Sequence, residues 1–549
     1  MPSMIIFKDH HLAVSYQGSI RRLAVIVFAL LVLAHAISGC STMVGPDYVK
    51  PSVVEPEKWI ASGDPKIESK EADFDQWWEV FNDPVLNELV GSAYEQNLSL
   101  QIAGLRIMEA RAQLGIAIGN QFPQQQQANA EGSLNQTSKN APNNALADRY
   151  YANYQATFDA AWELDVWGKF RRAVQNGVGN LESSIANYDD ILVSLTAEVA
   201  GTYVNLRIAE ERLAVAYQNV EIQKRSLDLV EKQYNAGAVT QLDVFQARGL
   251  LRTTESTTPG FEADIRQAKN ALAILLGKLP GEIDAILAKP GPIPKVPAEI
   301  AVGIPTELLR RRPDIRLAER QLAAQSALIG VAKADLYPHF TLFGSLGFQA
   351  ASQVDSGSNN SNFNDLFKKS SFTYSFGPAF SWDIFNYGRI TNQVRVEDAV
   401  FQELAVNYED TVLGAAREVE DAMVAFLRSQ DTVQFLADAT RAYKSSVDLS
   451  MIQYREGLVD YQRVLDAQEN LSRSEDQLTS TAGSVDLNLV AIYKALGGGW
   501  ELRKDKDFVA QDIKEEMAKR TNWGDLLAPE KLEYPPSQDV KSVFHRPDW

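Results

Sequence analysis

The sequence predicts a mainly α-helical chain with an internal two-fold repeat and four β-strands of the membrane-barrel type, and three observations carry that prediction. Residues 162–277 recur without a gap as residues 382–497, 220 positions later: Trp162 returns as Trp382, Gly168 as Gly388, Tyr188 as Tyr408, Tyr234 and Gly237 as Tyr454 and Gly457, and Leu276 and Gly277 as Leu496 and Gly497. Within each copy apolar residues recur every seventh position, which marks the seam of a long coiled-coil-like helix. Ahead of each such helix lie two segments with a period of two, as in strands that separate an apolar from a polar face.

At the N-terminus, Arg21 and Arg22 precede an apolar run from Leu23 to Ala34, which leads through Ile37, Ser38 and Gly39 into Cys40, the chain's single cysteine. The run is short of the roughly 20 residues that cross a bilayer. Residues 1–39 therefore read as a secretory signal, with cleavage before Cys40 and a covalent lipid on that residue as the one attached group. Lys8, Arg21 and Arg22 against Asp9 give the signal two net positive charges, so its loss takes the formal charge from −18 to −20. Such an acidic balance opposes nucleic-acid binding. With the lone cysteine lipidated, no disulfide is available and packing alone must hold the fold.

Residues 40–83 read as a lipidated N-terminal segment and 84–278 as the first repeat. An opening helix is expected around Pro84–Ile118, strands through Ala128–Leu134 and Tyr154–Leu164, and a long helix from Lys169 to about Asn235 with Leu192, Val199, Leu206, Leu213, Val220, Leu227 and Tyr234 on its seam. At 1.5 Å per residue that helix is about 100 Å long. Gly237 caps it, and a returning helix of half the length runs from Thr240 to Leu276, interrupted at Pro259-Gly260. Proline-rich residues 279–305 read as a linker that joins residues 41–80 in a belt around the middle of the structure. Residues 306–500 repeat the pattern: a helix around Thr306–Ala334, strands through Phe340–Phe348 and Phe372–Ile384, a seam of Val412, Val419, Phe426, Val433, Thr440, Val447 and Tyr454, a cap at Gly457 and a return from Asp460 to Leu496. Residues 501–549 are expected as a partly disordered tail.

The strands bear on function. On alternation alone, a soluble sheet with one buried face reads as well as a barrel with lipid outside and water inside. A lipidated chain in an envelope membrane, carrying helices long enough to span a periplasm, favours the barrel. Four strands cannot close one, because open edges in lipid leave unpaired backbone groups at several kcal/mol each. The chain should therefore oligomerise.

Several stretches resemble the TolC-like outer-membrane factors, in particular the lipidated NodT-type branch: Val44-Gly45-Pro46-Asp47-Tyr48, Leu309-Arg310-Arg311-Arg312-Pro313-Asp314-Ile315-Arg316, Gly330-Val331-Ala332-Lys333-Ala334 with Tyr337-Pro338, and Tyr493 to Trp500. The resemblance implies a homotrimer in the outer membrane, with a twelve-stranded transmembrane barrel above an α-helical barrel. It implies two partners, an inner-membrane pump of the RND type and a periplasmic adaptor (membrane fusion) protein, and passive conduction of small molecules. It further implies that the turns at Gly237 and Gly457 form a closing tip, that Asp466 lines its aperture, and that Asp243 and Tyr454 make a polar link between neighbouring helix pairs. Arg463 stands where some members carry a second aperture acid, with Asp460 one turn away as its replacement and an i,i+3 ion pair open to it.

No catalytic constellation is legible. The five histidines, His10, His11, His35, His339 and His545, fall in no metal-ligand spacing, and no phosphate loop is present. The acidic pairs Asp189-Asp190 and Glu210-Glu211 read as solvated faces of long helices. Two rival functions remain in view: an exit duct for type I protein secretion, and a non-conducting coiled-coil structural lipoprotein, which would leave the aromatic strands without a role.

Overall fold

The computed structural model describes residues 43–52, 58–68, 74–138, 140, 150–297, 299–303, 311–353 and 363–528. A short strand β1 (Ile67–Glu68) precedes the first copy, in which helices α1 (Pro84–Gln96) and α2 (Leu98–Gly119) lead into strands β2 (Gln125–Gln136) and β3 (Tyr150–Glu163). The long helix α3 (Lys169–Asn235) follows and returns as α4 (Gln241–Glu255) and α5 (Thr258–Leu275). After β4 (Ile300–Ala301), the second copy runs through α6 (Pro313–Ala334), β5 (His339–Gln353), β6 (Phe372–Ser381), α7 (Arg389–Arg455) and α8 (Tyr461–Ala495), followed by a short helix α9 (Gln511–Arg520) and a 3-10 turn at Gly524–Leu527.

Helices α3 and α7 are each 67 residues long and begin and end 220 positions apart, as the repeat predicts. Their ends are set by glycine. Gly237 and Gly457 adopt φ of +76° and +70°, and after each the next N–H reaches back over the last turn, Ala238 to the Gln233 carbonyl and Leu458 to that of Gln453. That lock needs a residue at ease with positive φ. The returning helix of the first copy does break near Pro259, which sits in the first turn of α5 where its missing N–H is no loss. Its counterpart α8 runs unbroken for 35 residues.

The heptad seam holds with one drift. In α7, Val412, Val419, Phe426, Val447 and Tyr454 are buried. In α3 the seam is buried at Leu192, Val199, Leu206 and Val220, but Tyr234 is 41 % exposed and burial has shifted to Val230. At this end of α3 the buried position lies one turn back from the seam, whereas the repeat equivalent Tyr454 in α7 stays buried.

The half-length helices are stacked end to end. Asn97, at the joint between α1 and α2, donates from Nδ2 to the Leu275 carbonyl at 2.9 Å and accepts from the Leu100 N–H at 2.9 Å, so α2 begins where α5 stops. In the second copy Arg312 Nη1 donates to the Ala495 carbonyl at 2.7 Å, and α6 begins where α8 stops. The opening segment of the first copy is thus two helices rather than one, with only α2 in the stack. Residues 306–310 of the second opening segment lie outside the described residues.

Strands β2, β3, β5 and β6 form one antiparallel sheet in the order β2-β3-β5-β6, leaving β2 and β6 with open edges. Pairing joins Ala128, Phe158, Leu346 and Tyr374 in one row and Ala130, Ala156, Phe348 and Phe372 in the next, so the even-numbered residues share one face. Around the middle of the helices, β1 pairs in parallel with β4 through Ile67 and Ile300, and Trp59, Phe74, Trp77, Trp78 and Phe81 are buried beside them.

The stretch from Glu501, expected as a partly disordered tail, is instead packed as far as Leu527. Phe508, Val509 and Met517 are buried, and the Phe508 carbonyl lies so close to Gly104 that a Cβ there would stand 2.1 Å from it. Its alternation of lysine and aspartate suggested solvent, but the apolar residues between them cover α2 and α3. Residues 529–549 lie outside the described residues.

Candidate channel wall and closing tip

The two faces of the sheet differ as water and lipid do. On the even face Phe158, Leu342, Leu346, Phe372, Tyr374, Phe376 and Phe380 are all exposed in the single chain, and Tyr374 stacks on Phe376 at 6.0 Å. On the odd face Asn129 donates to Asp159 at 2.6 Å, Thr157 donates to the same carboxylate at 3.0 Å, and Gln349 reaches Asn153 at 3.3 Å. An exposed aromatic face backed by a hydrogen-bonded polar one suits a wall between hydrocarbon and an aqueous lumen. Where strands meet helices, Trp167 stacks on Tyr337 at 4.7 Å and donates to the Pro338 carbonyl at 2.8 Å, while Trp382 donates to the Leu336 carbonyl at 3.0 Å. Rings with one polar atom satisfied suit a membrane interface.

The N-terminal segment runs beside this junction. Val44 N–H donates to the Trp167 carbonyl at 3.0 Å, Arg172 Nη2 binds Asp47 at 2.8 Å, and Lys50 binds Glu319 at 2.7 Å. Gly45, at φ +94°, lies directly against Gly330; a side chain on either would collide with backbone. The Val44 and Gly330 stretches of the sequence are therefore two sides of one contact. Cys40 itself lies outside the described residues.

At the far end of the helices the copies meet in a buried cluster of Val230, Val244, Ala247, Tyr454, Tyr461 and Val464. Tyr461 shares a 3.2 Å hydrogen bond with Ser226, across from one copy to the other. Tyr454 is packed edge-on to Tyr461, and burial first, then the nearby charge of Asp243, pushes its hydroxyl up to about 12. The expected link between Asp243 and Tyr454 is not a direct hydrogen bond here: among the described residues the buried Tyr454 hydroxyl has no hydrogen-bond partner. The reason is local, because the Asp243 carboxylate accepts from both the backbone N–H and the hydroxyl of Thr240, at 2.9 and 2.8 Å, to cap the first turn of α4.

Asp460 does the equivalent work for α8, accepting from the Arg463 backbone N–H at 3.3 Å. Arg463 occupies the repeat position of Asp243. Among the described residues neither Asp460 nor Asp466 forms an ion pair with its guanidinium, so the expected i,i+3 pair is absent. Asp466 is exposed and accepts instead from Gln462 Nε2 at 2.7 Å.

Sequence reasoning missed the buried charges. Asp189, expected on a solvated face, has no exposed surface and is held by Arg316 and by Arg503 from the C-terminal segment. Glu210 is buried as well, bound at 2.7 Å by Arg207, which also donates to the Tyr203 hydroxyl at 2.9 Å. Asp190, next to Asp189, is half-buried, and that burial, with the nearby charge of Asp314, pushes its carboxyl up to about 6. The arginine-rich stretch explains much of this. Arg312 ties Ala495, Asp314 and Glu418, and Arg311 reaches Glu501, so the run stitches the α6–α8 joint. For Asp189 the partners stand 127 and 314 residues away, which no local pattern pairs, whereas the Arg207–Glu210 pair lay at i,i+3 spacing in the sequence.

The family model described as outer membrane efflux protein matches residues 89–278 and 304–498, one stretch for each copy. The chain is 30% identical over 477 residues to nodulation protein T of Rhizobium leguminosarum bv. viciae, covering 87% of this chain and 94% of that protein. It is 29% identical over 475 residues to the cation efflux system protein CusC of Escherichia coli, covering 85% and 98%. Among solved structures, the outer-membrane channel OprN superposes with a TM-score of 0.78 at 32% identity, over 83% of this chain and 99% of that one.

Proposed function

Because the chain belongs to the outer membrane efflux protein family, we propose that three copies of it form the exit duct of a tripartite pump, docked on a periplasmic adaptor and an inner-membrane transporter. The protein is an outer-membrane efflux channel, not an enzyme, and it conducts small molecules passively. The observation that carries the assembly is the four-stranded sheet with an exposed aromatic face and two open edges. Open edges are not stable in lipid, and pairing β6 of one copy with β2 of the next removes them all in a closed ring. The helices offer a second, parallel reason. On one side α7 exposes Val406, Leu413, Val424, Phe435 and Leu449.

Lipidation of Cys40 belongs to the same reading. Met43 packs against Gly168 at the junction of strands and helices, and three residues span at most about 10 Å, so a lipid on Cys40 starts beside the membrane. Farther along the helices, residues 58–68 and 299–303 make the belt, through the β1–β4 pairing. At the tip, Asp466 with Asp460 forms a negative constriction that favours cations, and Arg463 tempers it.

The test is planar-bilayer conductance of the detergent-extracted protein with its oligomeric mass taken from the same sample. Trimers should give discrete cation-favouring channels, and Asp466→Asn should lower the cation-over-anion permeability ratio by about two-fold or more. A non-conducting extended monomer or dimer would overturn the duct; unchanged selectivity in Asp466→Asn would remove the constriction.

A further inference from the structure

Gln462, on the first turn of α8, is hydrogen-bonded in two directions. Its Nε2 donates to Asp466 Oδ1 at 2.7 Å, one turn along the same helix, and its Oε1 accepts from Gln246 Nε2 on α4 at 3.1 Å. A neutral amide has one donor end and one acceptor end, so engaging either determines what the other presents. With Gln246 holding the oxygen, the NH2 group must face the Asp466 carboxylate. Gln246 belongs to the first hairpin, whereas Gln462 and Asp466 belong to the second; Gln246 and Asp466 are themselves repeat equivalents. The relay lies on the exposed rim, over the apolar cluster that joins the hairpins beneath it.

We propose that Gln462 is a positioning residue of the aperture, holding the Asp466 carboxylate in place and coupling its orientation to contact between the two hairpins. Parting the hairpins breaks the Gln246–Gln462 bond, frees the amide to turn, and releases the carboxylate in the same motion that widens the opening. This rests on the reading of Asp466 as an aperture residue. The relay adds that the charge ring is ordered only while the hairpins touch, so ion selectivity and aperture width change together.

The experiment compares Gln462→Leu, Gln246→Leu, the double variant and Asp466→Asn as purified full-chain trimers in planar bilayers, with reversal potential and open fraction as readouts. Gln462→Leu should lower the cation-over-anion permeability ratio about two-fold, although Asp466 is still present. Gln246→Leu should raise the open fraction and lower the ratio part of the way, and the double variant should go no further than Gln462→Leu alone, the non-additivity expected of one connected unit. A merely structural role would alter the thermal midpoint of the trimer and leave the reversal potential where it was. If Asp466→Asn shifts the reversal potential while Gln462→Leu does not, or if the two leucine variants add independently, the relay is discarded and the aperture reading stands. If Asp466→Asn itself shifts nothing, the aperture reading fails and the relay with it.

Discussion

Asp486 lies within α8 with 2 % of its surface exposed and, among the described residues, one carboxylate oxygen without a hydrogen-bond partner. Burial alone raises its carboxyl to about 8. In the unfolded chain it titrates near 4. Between about pH 4 and pH 8 the folded protein therefore keeps a proton that the unfolded chain gives up, and stability falls as pH rises through that window. Asp486→Asn removes this slope and should gain about 1–3 kcal/mol at pH 8 relative to the original residue. The check is the thermal midpoint of the trimer from pH 5 to pH 8; parallel curves for the two proteins would sink the claim. Asp486 shows why single acids were hard to read in the sequence. Like Asp189 and Glu210, it stands in a long helix of mixed polarity, where exposure depends on which neighbour covers that face. At the tip, Asp460 and Asp243 act on the first turn of their own helices, within three residues of the group they cap, although the sequence suggested other roles for them.

At the scale of elements, the local signals were enough. Glycine at each helix end, a seven-residue seam and alternation in the strands all concern neighbours within one or two turns, and the observed ends of α3 and α7 follow from them. The joints between stacked helices were legible only as a mismatch of lengths. Their chemistry is long-range: Arg312 meets Ala495 across 183 residues, and Asn97 meets Leu275 across 178. Arg312→Met should cost about 2–3 kcal/mol, since it removes charge-assisted bonds to Asp314 and Glu418 and leaves the Ala495 carbonyl unpaired at the end of α8. Arg312→Lys should recover less than half of that, because an ammonium lacks the planar fork that engages these groups together. Chemical unfolding of the two variants beside the unchanged protein measures both. Equal stability of Arg312→Met and the unchanged protein would mean that packing alone holds the joint.

At the scale of the whole molecule, the helices lie in sequence across the chain: α7, then α6 with α8, then α3, then α2 with α4 and α5. Helix α3 is covered on both sides, while α7 forms one open flank and α2, α4 and α5 form the other. The sheet repeats that order, with β6 leading into α7 and α2 into β2. A unit with two unlike open flanks associates head to tail and is complete only in a ring. Phe376, midway along β6 and 78 % exposed, faces the lipid in this arrangement. Phe376→Arg should therefore cost about 2–4 kcal/mol for each chain inserted and reduce the yield of membrane-embedded trimers, read by extraction and mass. Full insertion of this variant would show that the even face does not meet hydrocarbon.

The sequence by itself determined the duplication, the lengths and ends of the long helices, the four strands and their two faces, and the need for partners along the open edges. Each of these follows from periodicity or from backbone groups that must be satisfied nearby. Only the tertiary structure decided which carboxylates are buried, that the Asp243 carboxylate caps its own helix rather than bonding Tyr454, and that residues 501–528 pack against the helices. The first and last of these depend on groups brought together from distant parts of the chain, and the second on a near partner outcompeting a distant one, so burial and competing hydrogen-bond partners, rather than spacing, settle each side chain's place.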